Sequence, residues 1–265
     1  MNKETPQDCI DTILQRRSIR SYLPDPIPEP LKKKLIDAML RAPTAGNQML
    51  YSVIEVKDPG IKTTLSESCD HQPFIATAPW VLVFLADLQR MTDFFQISGV
   101  DELVKSGRAG RTLSERAVPR EADLLLAACD TLIAAQTLVL AAESLGLGSC
   151  YIGDIMENYE LHRDLFALPP YAFPVTMLTL GYPTEQQKQR PLTERISPEK
   201  IIFPDRYRHL EDQELRHLYD HNISRSGGFL PGAENFGQHS YLRKFSSDFM
   251  DEMRRSVGEM LKNWR

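Results

Sequence analysis

Apolar residues at helical spacing, Ile10, Ile13 and Leu14, follow Thr5, Pro6 and Asp8, which predicts a helix with Thr5 as N-cap and Pro6 in its first turn, running to about Arg17. Prolines at 24, 26, 28 and 30 then force extended chain. Helical spacing resumes through Leu31, Leu35, Ile36, Met39 and Leu40, with Lys32 to Lys34 on the solvated face. The polar stretch "APTAGNQ" (42–48) ends that helix, and "YSVIEV" (51–56) and "WVLVFLA" (80–86) have the composition of strands.

Between 87 and 120 the chain turns polar and glycine-punctuated, as in "KSGRAGRTLSER", which predicts a mobile surface excursion or a lid. Residues 121–146 are apolar almost all round, the pattern of a central buried helix with Gly146 as its C-cap. A strand at "SCYI" (149–152), a helix near 157–166 and a buried strand "FPVTMLTLGY" (173–182) follow. Helices and strands interleave, so a single α/β or α+β domain is expected. Residues 183–208 are too poor in apolar positions to fold on themselves. After a glycine-rich linker, a helix of about 246–264 carries Phe249, Met253, Val257, Met260, Leu261 and Trp264; this C-terminal third is expected to pack on another subunit.

Composition narrows the function classes. At 265 residues and 42% hydrophobic the chain can bury a substantial core. The longest purely apolar run, "APWVLVFLA" (78–86), is too short to cross a bilayer, and the first ten residues have no apolar leader core, so a cytoplasmic protein is expected. A net charge of −5 and a pI near 5.7 argue against broad binding to nucleic acid or anionic membranes. Cys9, Cys69, Cys129 and Cys150 are widely spaced, which predicts neither a disulfide framework nor a metal site. The three arginines of "QRRSIRSY" (15–22) therefore act locally, either on the dipole of the helix they leave or on a bound anion.

The glycines of "SLGLGSCYIGDI" (144–155) do not make a dinucleotide fingerprint, because they follow a helix and open a strand. No phosphate-binding loop, serine-nucleophile elbow or zinc-protease motif is present. An enzyme with this sequence needs a bound cofactor for its chemistry.

Four stretches in order, "RRSIRSY", "PTAGNQ", "AAESLGLGSCYIGDI" and "GYP" followed by "KQR", resemble the FMN-dependent nitroreductase family. The resemblance spans roughly residues 8–208 and is nearest to the oxygen-insensitive NADPH nitroreductase and flavin reductase branch. It implies an α+β fold, a mixed sheet surrounded by helices, in an intertwined homodimer with FMN at the interface. In that frame residues 1–208 are the FMN-binding domain, 87–120 a lid excursion, 183–208 a dimer-wrapping arm and 209–265 a helical C-terminal extension.

The same resemblance implies the site. Arg16, Arg17, Ser18 and Arg20 belong to the first flavin segment, Arg16 and Ser18 toward the phosphate, Arg17 pointing elsewhere and solvated. Lys188 and Arg190 form the second phosphate-binding pair. Pro43, Thr44, Ala45 and Asn47 reach the flavin from the second subunit; Ala45 stands where a serine is common, and backbone groups are expected to replace its hydroxyl. Gln72 faces the pyrimidine side of the ring or the nicotinamide, and Tyr151, Ile152, Gly153 and Asp154 line the isoalloxazine. Gly153 offers its N–H to flavin N5, Arg20 sets positive charge near N1 and O2, and Asp154, where a glycine is common, turns its carboxylate away. The implied reaction is ping-pong two-electron transfer from NADPH or NADH to a nitroaromatic or quinone, with free flavin or ferric iron as alternative acceptors and a flavin sensor or storage protein as the non-enzyme alternative. Arg225 is the candidate clamp for the 2′-phosphate of NADPH, with Arg108 and Arg111 as competitors.

Overall fold

The computed structural model describes residues 8–108, 118–219, 222 and 228–265. The chain divides into two units, one of Met1–Arg190 with Glu252–Arg265 and one of Pro191–Asp251. These limits differ from the expected break at 208.

In the first unit α1 (Cys9–Gln15) is capped by Asp8, whose carboxylate accepts from the Ile10 N–H at 3.0 Å. The helix thus starts later than the sequence pattern suggests; Thr5 and Pro6 lie outside the described residues. It stops at Gln15 because Arg16 adopts φ −56°, ψ 135°. There follow α2 (Glu29–Met39), β1 (Tyr51–Val56), α3 (Pro59–Ser68), α4 (Phe74–Thr77) and β2 (Trp80–Asp87). Next come α5 (Gln89–Ile97), α6 (Val100–Lys105), α7 (Glu121–Glu143), β3 (Gly148–Ile152), α8 (Tyr159–Phe166), β4 (Ala172–Gly181) and α9 (Glu185–Lys188). The segment read as a polar excursion is helical as far as Lys105, since Met91, Phe94 and Phe95 give α5 an apolar stripe within polar surroundings. Residues 109–117, with Arg111, lie outside the description.

The sheet runs β1-β2-β4-β3 with every strand pair antiparallel. A mixed sheet is expected from the resemblance; the parallel pairing found among the described residues is the isolated bridge Ser18–Ser149. All eight residues of β2 are buried, because the sheet is covered on both faces. Trp80, Leu82 and Phe84 face α2 and α7, whereas Val81, Val83 and Leu85 face the layer built on α3 and α4. α7 has the length and apolar content to span a membrane, but its alanine-rich face, Ala127, Ala134, Ala135 and Ala142, is fully buried in the core. Its other face leaves Leu125, Leu126, Leu132 and Ile133 exposed.

The second unit contains α10 (Asp212–His217) and α11 (Phe236–Ser240), with Glu214 accepting from Arg208 at 2.7 Å and also from Lys200. α12 (Asp248–Met260) starts there and ends in the first unit. Met260 and Trp264 are buried beside Leu50, Leu124 and Phe173, and Trp264 meets Tyr171 edge to face at 5.5 Å. The end of the C-terminal helix, expected on another subunit, therefore closes the chain's own core.

Candidate functional site

The chain leaving α1 is laid along the β3 edge of the sheet, with the Ile19 N–H donating to the Ser149 carbonyl and the Leu23 N–H to the Tyr182 carbonyl, both at 2.8 Å. Glycine makes that approach possible. A Cβ on Gly148 would overlap the Ile19 side chain, and one on Gly181 would lie 2.8 Å from Pro79 and 2.9 Å from Tyr22.

This path brings the first basic segment against the second. Arg17 Nη1 donates to the carbonyl oxygens of Lys188 and Arg190, both at 2.5 Å, and its Nε donates to the Gln15 carbonyl at 3.3 Å. Arg190 Nη1 donates to Gln187 Oε1 at 3.1 Å and to the Ser18 carbonyl at 3.4 Å. Gln187 Oε1 also accepts the Arg20 N–H at 3.2 Å. Arg17, expected to be solvated, is instead half-buried and ties the two segments together.

A cavity of about 280 Å³ opens between them, lined by Arg16, Arg17, Lys188, Glu143 and Gly148. Glu143 ends α7, accepts from Ser149 Oγ at 3.1 Å, and is pushed up to about 7 by burial, against the pull of Ser149, Arg16 and Arg17. Cys150 is buried beside them; burial raises its thiol while Arg20, Arg16 and Arg190 lower it. Arg16, Arg17, Arg20, Lys188 and Arg190 outnumber the carboxylates Glu143 and Glu185, the latter paired with Lys188 at 2.7 Å. Such a cluster suits an anion with several acceptor oxygens, and the monoester phosphate of FMN has three.

Further along β3, Tyr151 is half-buried with its hydroxyl donating to Gln136 Oε1 at 3.1 Å. Ile152, expected against a flavin ring, has its side chain in the core at 1% exposure, so its backbone is what remains for such a contact. Gly153 is exposed with ordinary dihedrals, φ −79° and ψ −22°, and a Cβ there would meet nothing within 4 Å. Neither the turn nor the packing of this chain asks for glycine at 153, whereas a planar ring laid against the backbone would.

Gln72 Nε2 donates to Asp154 Oδ2 at 2.7 Å and to the Cys69 carbonyl at 2.9 Å, so these two candidates are a bonded pair and the amide fixes the carboxylate. Behind them Glu157 is buried, with Oε1 lacking a hydrogen-bond partner; burial, then Asp154, Asp70 and Glu252, push it up to about 8.

The loop after α2 is shaped by Asp130 of α7, which accepts from the Ala45 N–H at 2.9 Å and from the Leu50 N–H at 3.4 Å. The Met49 N–H donates to Thr44 Oγ1 at 3.0 Å, while Pro43 and Asn47 are exposed, Asn47 at φ 56°. The Ala45 N–H is thus engaged by Asp130 of its own chain. Asp130 and Glu143 stand 13 residues apart on α7, about 20 Å along its axis. Within one chain the loop is therefore remote from the basic cluster. Asp130, Glu143, Ser149 and Gln187 were not singled out in the sequence; the available signal was a charged residue within an apolar helix, which needs a buried partner. Arg225 lies outside the described residues, and Arg108 is exposed with its Nε donating to Ser106 Oγ at 3.0 Å.

The sequence matches the Nitroreductase family over residues 13–182. It is 28% identical over 252 residues to an "NADPH-dependent oxidoreductase" of Staphylococcus epidermidis, covering 91% of this chain and 94% of that protein. It is 30% identical over 219 residues to the "FMN reductase [NAD(P)H]" of Bacillus subtilis, covering 82% of each. The fold is similar to that of the NfrA1 nitroreductase of B. subtilis, with a TM-score of 0.76 at 24% identity over 96% of this chain and 98% of that one. The chain belongs to the nitroreductase family of NAD(P)H-dependent FMN oxidoreductases.

Proposed function

We propose that this protein holds FMN through the cluster around Arg17 and transfers two electrons, in a ping-pong cycle, from NADPH or NADH to a nitroaromatic or quinone. The observation that carries the reading is that Arg17 ties residues 188–190 to the first basic segment beside a cavity lined by Arg16, Arg17 and Lys188, at the edge of β3, the strand that leads to Gly153. Bound FMN supplies the hydride chemistry. Arg16, Ser18, Lys188 and Arg190 hold its phosphate, with Arg17 fixing their spacing. The Gly153 N–H and the Arg20 guanidinium face the reacting end of the ring, where fixed donors stabilise developing negative charge without reorganisation. The Gln72–Asp154 pair keeps the carboxylate directed at an amide.

The remaining contacts come from a second copy of the chain. Loop 43–47 is held remote from its own basic cluster, and Ile10, Ile13 and Leu14 on α1 join Leu125, Leu126, Leu132 and Ile133 on α7 as exposed apolar surface. Such area is commonly covered in a homodimer, and a partner's Pro43, Thr44, Ala45 and Asn47 would then complete each site. Arg225 is the proposed contact for the 2′-phosphate of NADPH. The name of the B. subtilis relative favours free flavin as a second acceptor.

The test is direct. The purified protein is expected to be yellow, to bleach on anaerobic addition of NADPH or NADH, and to regain its colour with a quinone or nitroaromatic. Colourless protein that gains no flavin from added FMN, or bound flavin that neither nicotinamide reduces, would remove the proposal.

A further inference from the structure

We propose that Glu143 is a proton-coupled member of the phosphate site: its carboxyl takes up a proton when the phosphate of FMN occupies the cavity it lines, making FMN affinity depend on pH. The inference rests on the reading that this cavity holds the phosphate.

Glu143 is an odd residue for such a place. It lines the same cavity as Arg16, Arg17 and Lys188, where it competes with any bound anion for those cations. It is also the last residue of α7, where the helix dipole disfavours a negative charge. Its hydrogen-bond partner is Ser149 Oγ at 3.1 Å, a neutral hydroxyl that serves a carboxylate and a carboxylic acid alike. The charged and titratable groups around it are Arg16 and Arg17 at the exit of α1, Tyr22 on the segment beyond, and Lys188 on α9 with its ion-pair partner Glu185; next to these lies Cys150 on β3, with Arg20 and Arg190 near its thiol. Burial pushes both the Tyr22 hydroxyl and the Cys150 thiol up, away from neutrality, which leaves Glu143 as the acid that changes state there.

The direction follows from electrostatics. Burial, against the pull of Ser149, Arg16 and Arg17, brings Glu143 to about 7. A phosphate monoester, whose second dissociation lies near pH 6, is a dianion above pH 7, and two negative charges beside a carboxyl favour its protonated form. Binding then draws a proton from solvent, and affinity falls as pH rises by up to about tenfold per unit until the bound-state value is passed. Glutamine keeps an acceptor for Ser149 Oγ and removes the titration.

The full-length protein, freed of flavin, is titrated with FMN and with riboflavin at pH 7, 8 and 9 by flavin fluorescence, as wild type and as Glu143→Gln. The expected result is a wild-type FMN Kd that rises several-fold per pH unit, a riboflavin Kd that does not, and a Glu143→Gln FMN Kd that stays level and is at least about tenfold tighter than wild type at pH 9. Parallel FMN slopes in the two proteins would overturn the role of Glu143 while leaving the phosphate site standing. Equal wild-type affinity for FMN and riboflavin would overturn the phosphate site itself. Should Glu143→Gln not fold, calorimetry of FMN binding to wild type at pH 8 in buffers of different ionisation enthalpy decides: uptake of a proton supports the proposal, and none overturns it.

Discussion

Arg17 Nη1 lies 2.5 Å from the carbonyl oxygen of Lys188, a residue 171 positions further along the chain. The same nitrogen serves the Arg190 carbonyl, so one guanidinium closes the two basic segments into a single site. Arg17→Ala would leave both carbonyls without this donor and let the second segment drift. FMN affinity should fall about ten- to a hundredfold, the equivalent of one charge-assisted bond. Equilibrium dialysis measures it; unchanged FMN retention would mean that the clamp does not set the site's spacing.

Two glycines on one strand and its exit should respond in opposite ways. Gly148→Ala pushes a methyl into Ile19, which should cost roughly 1–3 kcal/mol of stability as overpacking. Gly153→Ala meets no atom within 4 Å and should unfold in denaturant much as wild type does. On the proposed placement of the ring against Gly153, its deficit should appear in flavin affinity or in anaerobic reduction by NADPH, because the added methyl would stand in the path of the ring. Chemical denaturation and stopped-flow absorbance of the two variants separate these outcomes, and a Gly153→Ala protein with wild-type flavin kinetics would reduce that glycine to a turn residue.

Glu157 makes stability depend on pH. It is pushed up to about 8 in the folded chain from an ordinary value of 4.5, so between those values the folded state holds a proton that the unfolded state has lost. Stability contributed by this group therefore declines as pH rises from about 4.5 to about 8 and levels off above. Glu157→Gln abolishes the titration, so its melting temperature should exceed that of wild type by a margin that widens from pH 5 to pH 8. A constant margin across that range would show that Glu157 titrates normally.

Much of the fold was legible where local pattern and burial agree. The run "YSVIEV" coincides with β1, and the apolar stretch after Glu121 became the central helix. The helices at 89–105 were hidden because short amphipathic turns carry more polar than apolar residues. The return of Trp264 to the core was hidden because spacing along a helix says which face is apolar, not what covers it. Within the site, the basic residues drew attention by charge and by resemblance. The work of Arg17 could not be read, since its partners are main-chain carbonyls, which every residue has. Asp130, buried, and Glu143, half-buried, do not stand out inside an apolar helix, although a carboxylate withdrawn from water there must find partners.

The central claim, that two distant basic segments form one phosphate site for FMN, is tested most directly by the double variant Lys188→Ala with Arg190→Ala, titrated with FMN and riboflavin beside wild type. Wild type should bind FMN far more tightly than riboflavin, and the double variant, left with Arg16 and Ser18, should lose most of that preference, its FMN affinity reduced by several kcal/mol at roughly 1.5–3 kcal/mol per charge-assisted bond. A double variant that keeps the wild-type preference for FMN over riboflavin would contradict the account.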